Sequence, residues 1–323
     1  MPNMTLVSKD ITKAIEIVNN EDVVAIPTET VYGLAGNIYS EKAIRKIFQV
    51  KQRPLFNPLV VHVHSIEKIQ EIVSEFADKA KMLAKAFWPG SLTLILKKRS
   101  DILDLITAGK DTVAVRIPNH PITLALLKEL SFPLAAPSAN PFGSISPTSS
   151  KHVESYFKNT IPMVLEGGDC KNGIESTIIG FENNEPLLYR LGAISIEEIT
   201  TIIGEVKVKN KKELAPNAPG MLARHYAPET KTYLVKNAEK FIKDYTGKKI
   251  GVLRFSGEID SSNMEHVEVL SKKGDLKEAA SKLYGTLHKL DKLNLDMIVA
   301  EIFPDFGLGK SINDRLVRAT KNK

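Results

Sequence analysis

An α/β architecture in two parts is expected from this sequence: a layered domain built on a large twisted mixed sheet, followed by a smaller parallel α/β unit. Three observations carry the expectation. Segments of strand period and helix period interleave up to about residue 206. Thirteen of the 17 prolines precede residue 200, and Pro216, Pro219 and Pro228 crowd one short stretch. Beyond that stretch, strand and helix signals alternate simply, as in a parallel unit.

The elements follow in order. Asp10 is a fitting N-cap for Ile11, Ala14, Ile15 and Val18, which recur at helical spacing. Residues 23–27 are a short apolar strand. Ser40 caps a helix with Ala43, Ile44, Ile47 and Phe48 on one face. Further strands are expected at 59–64, 91–97, 112–117, 134–136, 163–166, 177–181 and 187–191, and helices at 74–87, 121–130, 148–157 and 195–203. The segment 207–230 opens with Lys207, Lys209, Lys211 and Lys212 and continues as Ala215-Pro-Asn-Ala-Pro-Gly-Met, a linker composition. After it come strands at 231–235, 249–254 and 297–301, with helices at 276–290 and 312–319. The chain therefore divides into a domain at 1–206, a proline-containing linker at 207–230 and an accessory α/β domain at 231–323.

Composition narrows the function classes. The 323 residues are 43% hydrophobic and 25% charged, which suits packed domains and excludes wholesale disorder. No apolar run approaches the ~18 residues that cross a bilayer, and Lys9, Asp10, Lys13 and Glu16 break any leader pattern at the start. No membrane association and a cytoplasmic location are expected. A single cysteine, Cys170, excludes an internal disulfide and any multi-cysteine metal site. The net charge of +6 permits a nucleotide or weak RNA binding without requiring either.

Four clusters could carry chemistry. Lys51-Gln-Arg53-Pro-Leu-Phe-Asn57-Pro-Leu reads as a stiffened polar loop whose point charge and planar fork suit a polyphosphate; a solvated basic turn is the alternative. Strand alternation puts His62 and His64 on one face and Val61 and Val63 on the other. No third metal ligand is evident, so one positioned histidine and one surface histidine is the common outcome. Thr112, Ala114 and Arg116 share the face of another strand, where a buried arginine needs a carboxylate, either from a ligand or from an internal Asp or Glu. In Leu134-Ala-Ala-Pro-Ser138-Ala-Asn140-Pro-Phe-Gly, small residues admit a ligand to the backbone beside a hydroxyl and an amide. Ser138 lacks the surroundings of a hydrolase nucleophile. Gly307-Leu-Gly309-Lys310-Ser311 ends like a P-loop, but Pro304 stands where its first glycine belongs.

In order along the chain, these clusters resemble the threonylcarbamoyl-AMP synthase family in its long two-domain form, with a YrdC-like first domain. The resemblance rests on Pro27-Thr-Glu-Thr30-Val-Tyr-Gly-Leu, the Lys51–Val-Val-His62 stretch, Trp88-Pro-Gly90, Arg116-Ile-Pro, Ala136-Pro-Ser138-Ala-Asn140-Pro-Phe-Gly and Glu175-Ser176-Thr177. It continues through His225-Tyr-Ala-Pro228 and Gly307-Leu-Gly-Lys-Ser-Ile-Asn-Asp-Arg315-Leu. Phe56 and Leu222 depart from the family pattern.

The resemblance implies a YrdC-like layered domain with a Rossmann-like C-terminal domain, and a reaction of L-threonine, bicarbonate and ATP that yields threonylcarbamoyl-adenylate and pyrophosphate. ATP is then a substrate, Mg²⁺ accompanies it, and tRNA-modifying transferase machinery takes the product. Lys51, Arg53, Ser138 and Asn140 fall on the family's paired K-x-R and S-x-N motifs, the catalytic set. Asn57, Thr112, Ser146, Arg190 and Tyr226 join Lys51, Arg53 and Ser138 around the nucleotide. Thr30, His62, Arg116, Ala136 and Ser176 hold threonine. The linker is expected to reach back over the site. A non-catalytic RNA-binding module and a different adenylating enzyme are the competing classes.

Overall fold

The computed structural model describes residues 4–208, 225–257 and 265–320. The first part runs β1 (Leu6–Ser8), α1 (Ile11–Asn19), β2 (Val24–Ile26), β3 (Gly33–Asn37), α2 (Glu41–Lys51), β4 (Val60–His62), a 3₁₀ turn (Glu67–Glu71), α3 (Asp78–Phe87), β5 (Leu92–Lys97) and α4 (Asp104–Thr107). It continues with β6 (Thr112–Arg116), α5 (Pro121–Glu129), β7 (Leu134–Ala135), α6 (Ser150–Phe157), β8 (Met163–Leu165), β9 (Thr177–Glu182), β10 (Glu185–Arg190), α7 (Ile196–Ile203) and β11 (Lys207–Val208). The second part holds β12 (Thr232–Val235), α8 (Ala238–Ile242), β13 (Ile250–Arg254), β14 (His266–Val269), α9 (Leu276–Asp291), β15 (Met297–Glu301) and α10 (Leu308–Ala319).

The first part is one 11-stranded mixed sheet in the order β1-β8-β2-β3-β7-β4-β6-β5-β9-β10-β11. The second is a four-stranded sheet, β12-β15-β13-β14, parallel throughout. Alternation along the strands decides what each face of the large sheet meets. Val61, Val113, Val115, Leu94 and Ile179 point to the side packed by α2, α3 and α7. On the other side, α1 and α5 cover the end made by β2, β7 and β8, through Ala14, Val18, Leu126 and Leu127. Beside them Val60, Ile95, Ala114 and Ile178 form a separate small apolar floor. His62 and Arg116, two residues on from Val60 and Ala114, belong to that same side.

The second part closes against the first. Its core, with Leu283, Tyr284, Ile312 and Leu316, is continuous with Val31, Ile145, Ile174 and Tyr226. Ser311 Oγ donates to Gly192 O at 2.8 Å, and His288 Nε2 lies 3.2 Å from Ser146 O.

Several expectations are corrected. Lys51 does not begin a loop: it ends α2, which Gln52 caps with a left-handed φ of 51°. The helix expected at 74–87 starts at Asp78, because Ser74 N is held by Lys97 O at 2.9 Å and keeps the preceding chain extended along β5. The strand expected at 59–64 stops at His62, so His62 and His64 do not share one strand face. Strand β3, Gly-Leu-Ala-Gly-Asn, carries no strand signature. It forms because Cβ atoms on Gly33 and Gly36 would come within 3.1 Å of Ala136 Cβ and 3.2 Å of Ala43 Cβ, so glycine allows both close approaches.

Candidate active site

A cleft with about 560 Å³ of empty space opens on this side of the large sheet, between β3, β4, β6 and β7 and the seam with the second part. One corner is polar and tightly organised. β4 and β6 run in parallel and put His62 directly opposite Arg116. The Arg116 guanidinium donates from Nη1 to Thr30 Oγ1 at 2.9 Å, from Nη2 to Glu29 Oε1 at 2.7 Å, and from Nε to Gly90 O at 3.0 Å. Its carboxylate partner in this structure is thus the internal Glu29. Ser91 Oγ and Asn119 N also donate to Glu29. Burial works to raise the Glu29 pKa, but the Arg116 charge and hydrogen bond outweigh it and leave Glu29 below the usual carboxylate value.

His62 is held at 3.2 Å from Val60 O through Nδ1, and burial, with Arg116 beside it, pushes its pKa down to about 3. It is a neutral imidazole, with Nδ1 as donor and Nε2 as acceptor. Ala136 and Ser176 line the same cleft. Ser176 Oγ lies 2.7 Å from Thr93 Oγ1 and receives Arg190 Nη2 at 3.0 Å.

The opposite half is cationic. Arg53 Nε donates to Asn57 O at 3.1 Å and Nη2 to Pro58 O at 2.8 Å. Lys51 Nζ donates to Ser138 O at 2.6 Å and Asn140 O at 2.5 Å. These acceptors are neutral carbonyls, so among the described residues neither buried charge has a carboxylate partner. Burial, and then the neighbouring Arg190, brings Arg53 down to about 9; burial, and then Arg53, lowers Lys51 well below its ordinary value. Uncompensated buried cations are costly unless an anion joins them. The buried Asn57 side chain, with neither amide atom hydrogen-bonded among the described residues, and Asn140 Oδ1, in the same state, add unspent polar capacity nearby.

Arg53, Ser138, Arg190 and Tyr226 line the cleft, together with Thr30, His62, Arg116, Ala136 and Ser176. Lys51, Asn57, Asn140 and Ser146 are buried behind that wall. Thr112 stands at the far end of β6, opposite Lys97, away from the cleft but on the side of the apolar floor. The chain returns here after residue 224. Ala227 N donates to Gly143 O at 2.9 Å, His225 meets Phe142 edge-on, and Tyr226, left-handed at φ 63°, is buried at the seam. Met221, Leu222 and Arg224 lie outside the described residues.

Glu29 and Glu175 went unassigned at the level of sequence, although both sit in the quoted motifs. The need of Arg116 for a buried carboxylate was the signal that could have found Glu29.

Comparison with known proteins decides the family. Residues 16–192 match a family model described as "Telomere recombination", and residues 194–320 match "Threonylcarbamoyl-AMP synthase, C-terminal domain". The chain belongs to the threonylcarbamoyl-AMP synthase family. It is 38% identical to the threonylcarbamoyl-AMP synthase of Bacillus subtilis, over 96% of this chain and 92% of that protein. It is 40% identical to the one from Pyrococcus abyssi, over 92% and 90%. The crystal structure of P. abyssi Sua5 complexed with L-threonine superposes with a TM-score of 0.90 at 37% identity, covering 98% of both chains. The two family models meet at 192 and 194, while the large sheet of this synthase-family chain continues to Val208. Among the described residues no helix is long and apolar enough to cross a membrane.

Proposed function

We propose that this chain joins L-threonine, bicarbonate and ATP into L-threonylcarbamoyl-adenylate with release of pyrophosphate. The observation that carries the reading is one cleft with two opposed chemistries: a Thr30–His62–Arg116 corner and, across from it, the buried cations Arg53 in the wall and Lys51 behind it, which among the described residues bond only to carbonyls. The first suits a small amino acid with a hydroxyl and the second suits a polyphosphate.

The steps follow from that pairing. A threonine ammonium and bicarbonate give carbamate, water and a proton. Neutral His62, with Nε2 as its accepting nitrogen, orients the ammonium or hydroxyl of threonine in its corner. A carbamate oxygen then attacks the α-phosphorus in line, and the bond to pyrophosphate breaks. Arg53 and Arg190 stabilise the charge that builds on phosphate oxygens. Lys51 holds the Ser138–Asn140 loop in place and adds to the positive field. The apolar floor of Val60, Ile95 and Ala114, with Thr112 at its far end, is where a purine would lie.

Glu29 and Glu175 each engage an arginine, and no grouping of three or more metal-ligating side chains occurs among the described residues. Mg²⁺ enters this reading bound to the triphosphate of the substrate, not as a resident ion. We assign catalysis to residues 1–206, a linker to 207–230 and an accessory role to 231–323. The labile product would pass to tRNA-modifying transferase machinery in the cytoplasm.

The test is pyrophosphate release with each substrate withheld in turn. Release is expected only when ATP, threonine and bicarbonate are all present; equal release without threonine overturns the reading.

A further inference from the structure

A carboxylate is out of place in the wall of a cleft built for polyphosphate, because its charge repels the ligand. Glu175, immediately before Ser176, is such a wall residue. Its side chain is turned to the seam and held there from three directions. Ser146 Oγ donates to Oε1 at 2.6 Å, and Arg315 Nε donates to Oε2 at 3.1 Å. Tyr284 Oη reaches both oxygens, at 3.1 and 2.9 Å.

Two of those three partners come from the second part of the chain: Tyr284 from α9 and Arg315 from α10. Neither lines the cleft. Arg315 is fully buried, is braced by Asp314 at 3.2 Å, and lies 5.3 Å from the ring centre of Tyr226, itself a wall residue. Burial works to raise the Glu175 pKa, and the Arg315 charge first, then Arg190, outweighs it, so the carboxylate is ionised. The nearest strong counter-charge to Glu175 is therefore supplied from outside the catalytic domain.

We propose that Arg315 and Tyr284 are positioning residues for the nucleotide half of the cleft: they neutralise and orient the Glu175 carboxylate, so that its charge does not oppose a bound triphosphate. The proposal rests on the reading of that half as the ATP site. It gives the accessory domain a defined task in the chemistry of a cleft it does not line. Without Arg315, the full charge of Glu175 would fall on the cleft and on the nearby Arg190 guanidinium.

The test is a charge cycle read by calorimetric binding of ATP to the full chain, without threonine or bicarbonate, alongside threonine binding measured separately. Arg315→Met is expected to weaken ATP binding about tenfold or more and to leave threonine binding within about twofold. Adding Glu175→Gln to Arg315→Met should restore ATP binding to within about threefold of wild type, since no charge is left to neutralise. A merely structural role for Arg315 would give no such rescue. The Arg315→Met defect should also shrink as pH falls, because a Glu175 without its counter-ion protonates more readily. Arg315→Lys, which keeps the charge, should bind ATP better than Arg315→Met.

If Arg315→Met does not fold, Glu175→Gln alone decides: unchanged or tighter ATP binding supports the proposal, and a tenfold weakening overturns it. Equal loss of both ligands, or no rescue in the double variant, also overturns it. A wild-type protein that binds no ATP overturns it together with the reading it rests on. One that binds ATP but releases no pyrophosphate overturns the reaction assigned above, while the charge cycle still judges this proposal on its own.

Discussion

Arg116 Nη2 and Glu29 Oε1 meet at 2.7 Å, with both side chains almost wholly buried at the edge of the cleft. A guanidinium held this way is aimed before any ligand arrives, with three of its five N–H groups committed to Glu29, Thr30 and Gly90. Glu29→Gln should therefore cost stability on the order of 3–5 kcal/mol, as breaking a buried pair does, and should weaken threonine binding. Thermal denaturation and titration calorimetry check the two effects. Because the folded Glu29 pKa is depressed, its contribution is fully present above the ordinary carboxylate range and is lost as pH falls through the folded value. The variant should flatten that acid limb of the stability curve.

Threonine's own side chain supplies a second test. Serine keeps the hydroxyl and loses one methyl, so it should bind more weakly than threonine by only about 1–3 kcal/mol. Valine keeps the shape but would leave the polar groups of the Thr30–His62 corner without a partner, and should be rejected more strongly. Calorimetric affinities in the order threonine, serine, valine are expected; valine binding as well as threonine would contradict this pocket.

Lys51 and Arg53 should separate in their effects. Arg53→Ala removes a cleft-lining cation and should lower turnover by about a hundredfold or more. Each change frees two buried carbonyls, Asn57 O and Pro58 O for Arg53→Ala and Ser138 O and Asn140 O for Lys51→Ala, so both melting temperatures should fall, while Lys51, which does not line the cleft, should cost less turnover than Arg53. Steady-state kinetics distinguish the pair, thermal melts check the shared loss of stability, and near-normal turnover in both would remove them from catalysis.

Truncation after residue 206 should abolish most turnover. It would bare Val31, Ile145 and Ile174, remove His225 and Tyr226, and leave Glu175 without Arg315 and Tyr284. Unchanged kinetics in the truncated chain would reduce the linker and second domain to a tether.

The seam should also loosen in acid. His152 and His288 stack there with ring centres 3.9 Å apart, and burial pushes their pKa values down to about 4 and about 3. Such groups fold neutral, so their contribution is full above the ordinary histidine pKa of about 6.5 and is lost as pH falls through those depressed values. Melting temperature recorded against pH should drop over that window, and His152→Gln should flatten it.

Much of this is legible in the sequence. Periodicity located most long helices and central strands, and the ordered motifs named the residues that line the cleft. What escaped was set by tertiary partners. Gly33–Asn37 has no strand propensity and pairs only because its glycines admit Ala136 and Ala43. Lys51 looked like an exposed loop cation, and its burial follows from two carbonyls that lie 87 and 89 residues further along the chain. Whether Arg116 answered to a ligand or to an internal acid could not be decided from one strand, since Glu29 is brought in from the turn after another. Glu175 was visible as a letter in a motif, but its counter-ion lies 140 residues away.

The carbonyl-bonded cations at Lys51 and Arg53 have a consequence for the life of the protein outside its reaction. Burying these charges is costly, and a polyphosphate that binds only the folded state would offset that cost. Saturation at a hundredfold excess over the dissociation constant is worth about 2.7 kcal/mol of added stability. Nucleotide concentration would then set not only how fast this protein works but how long each copy resists unfolding and proteolysis.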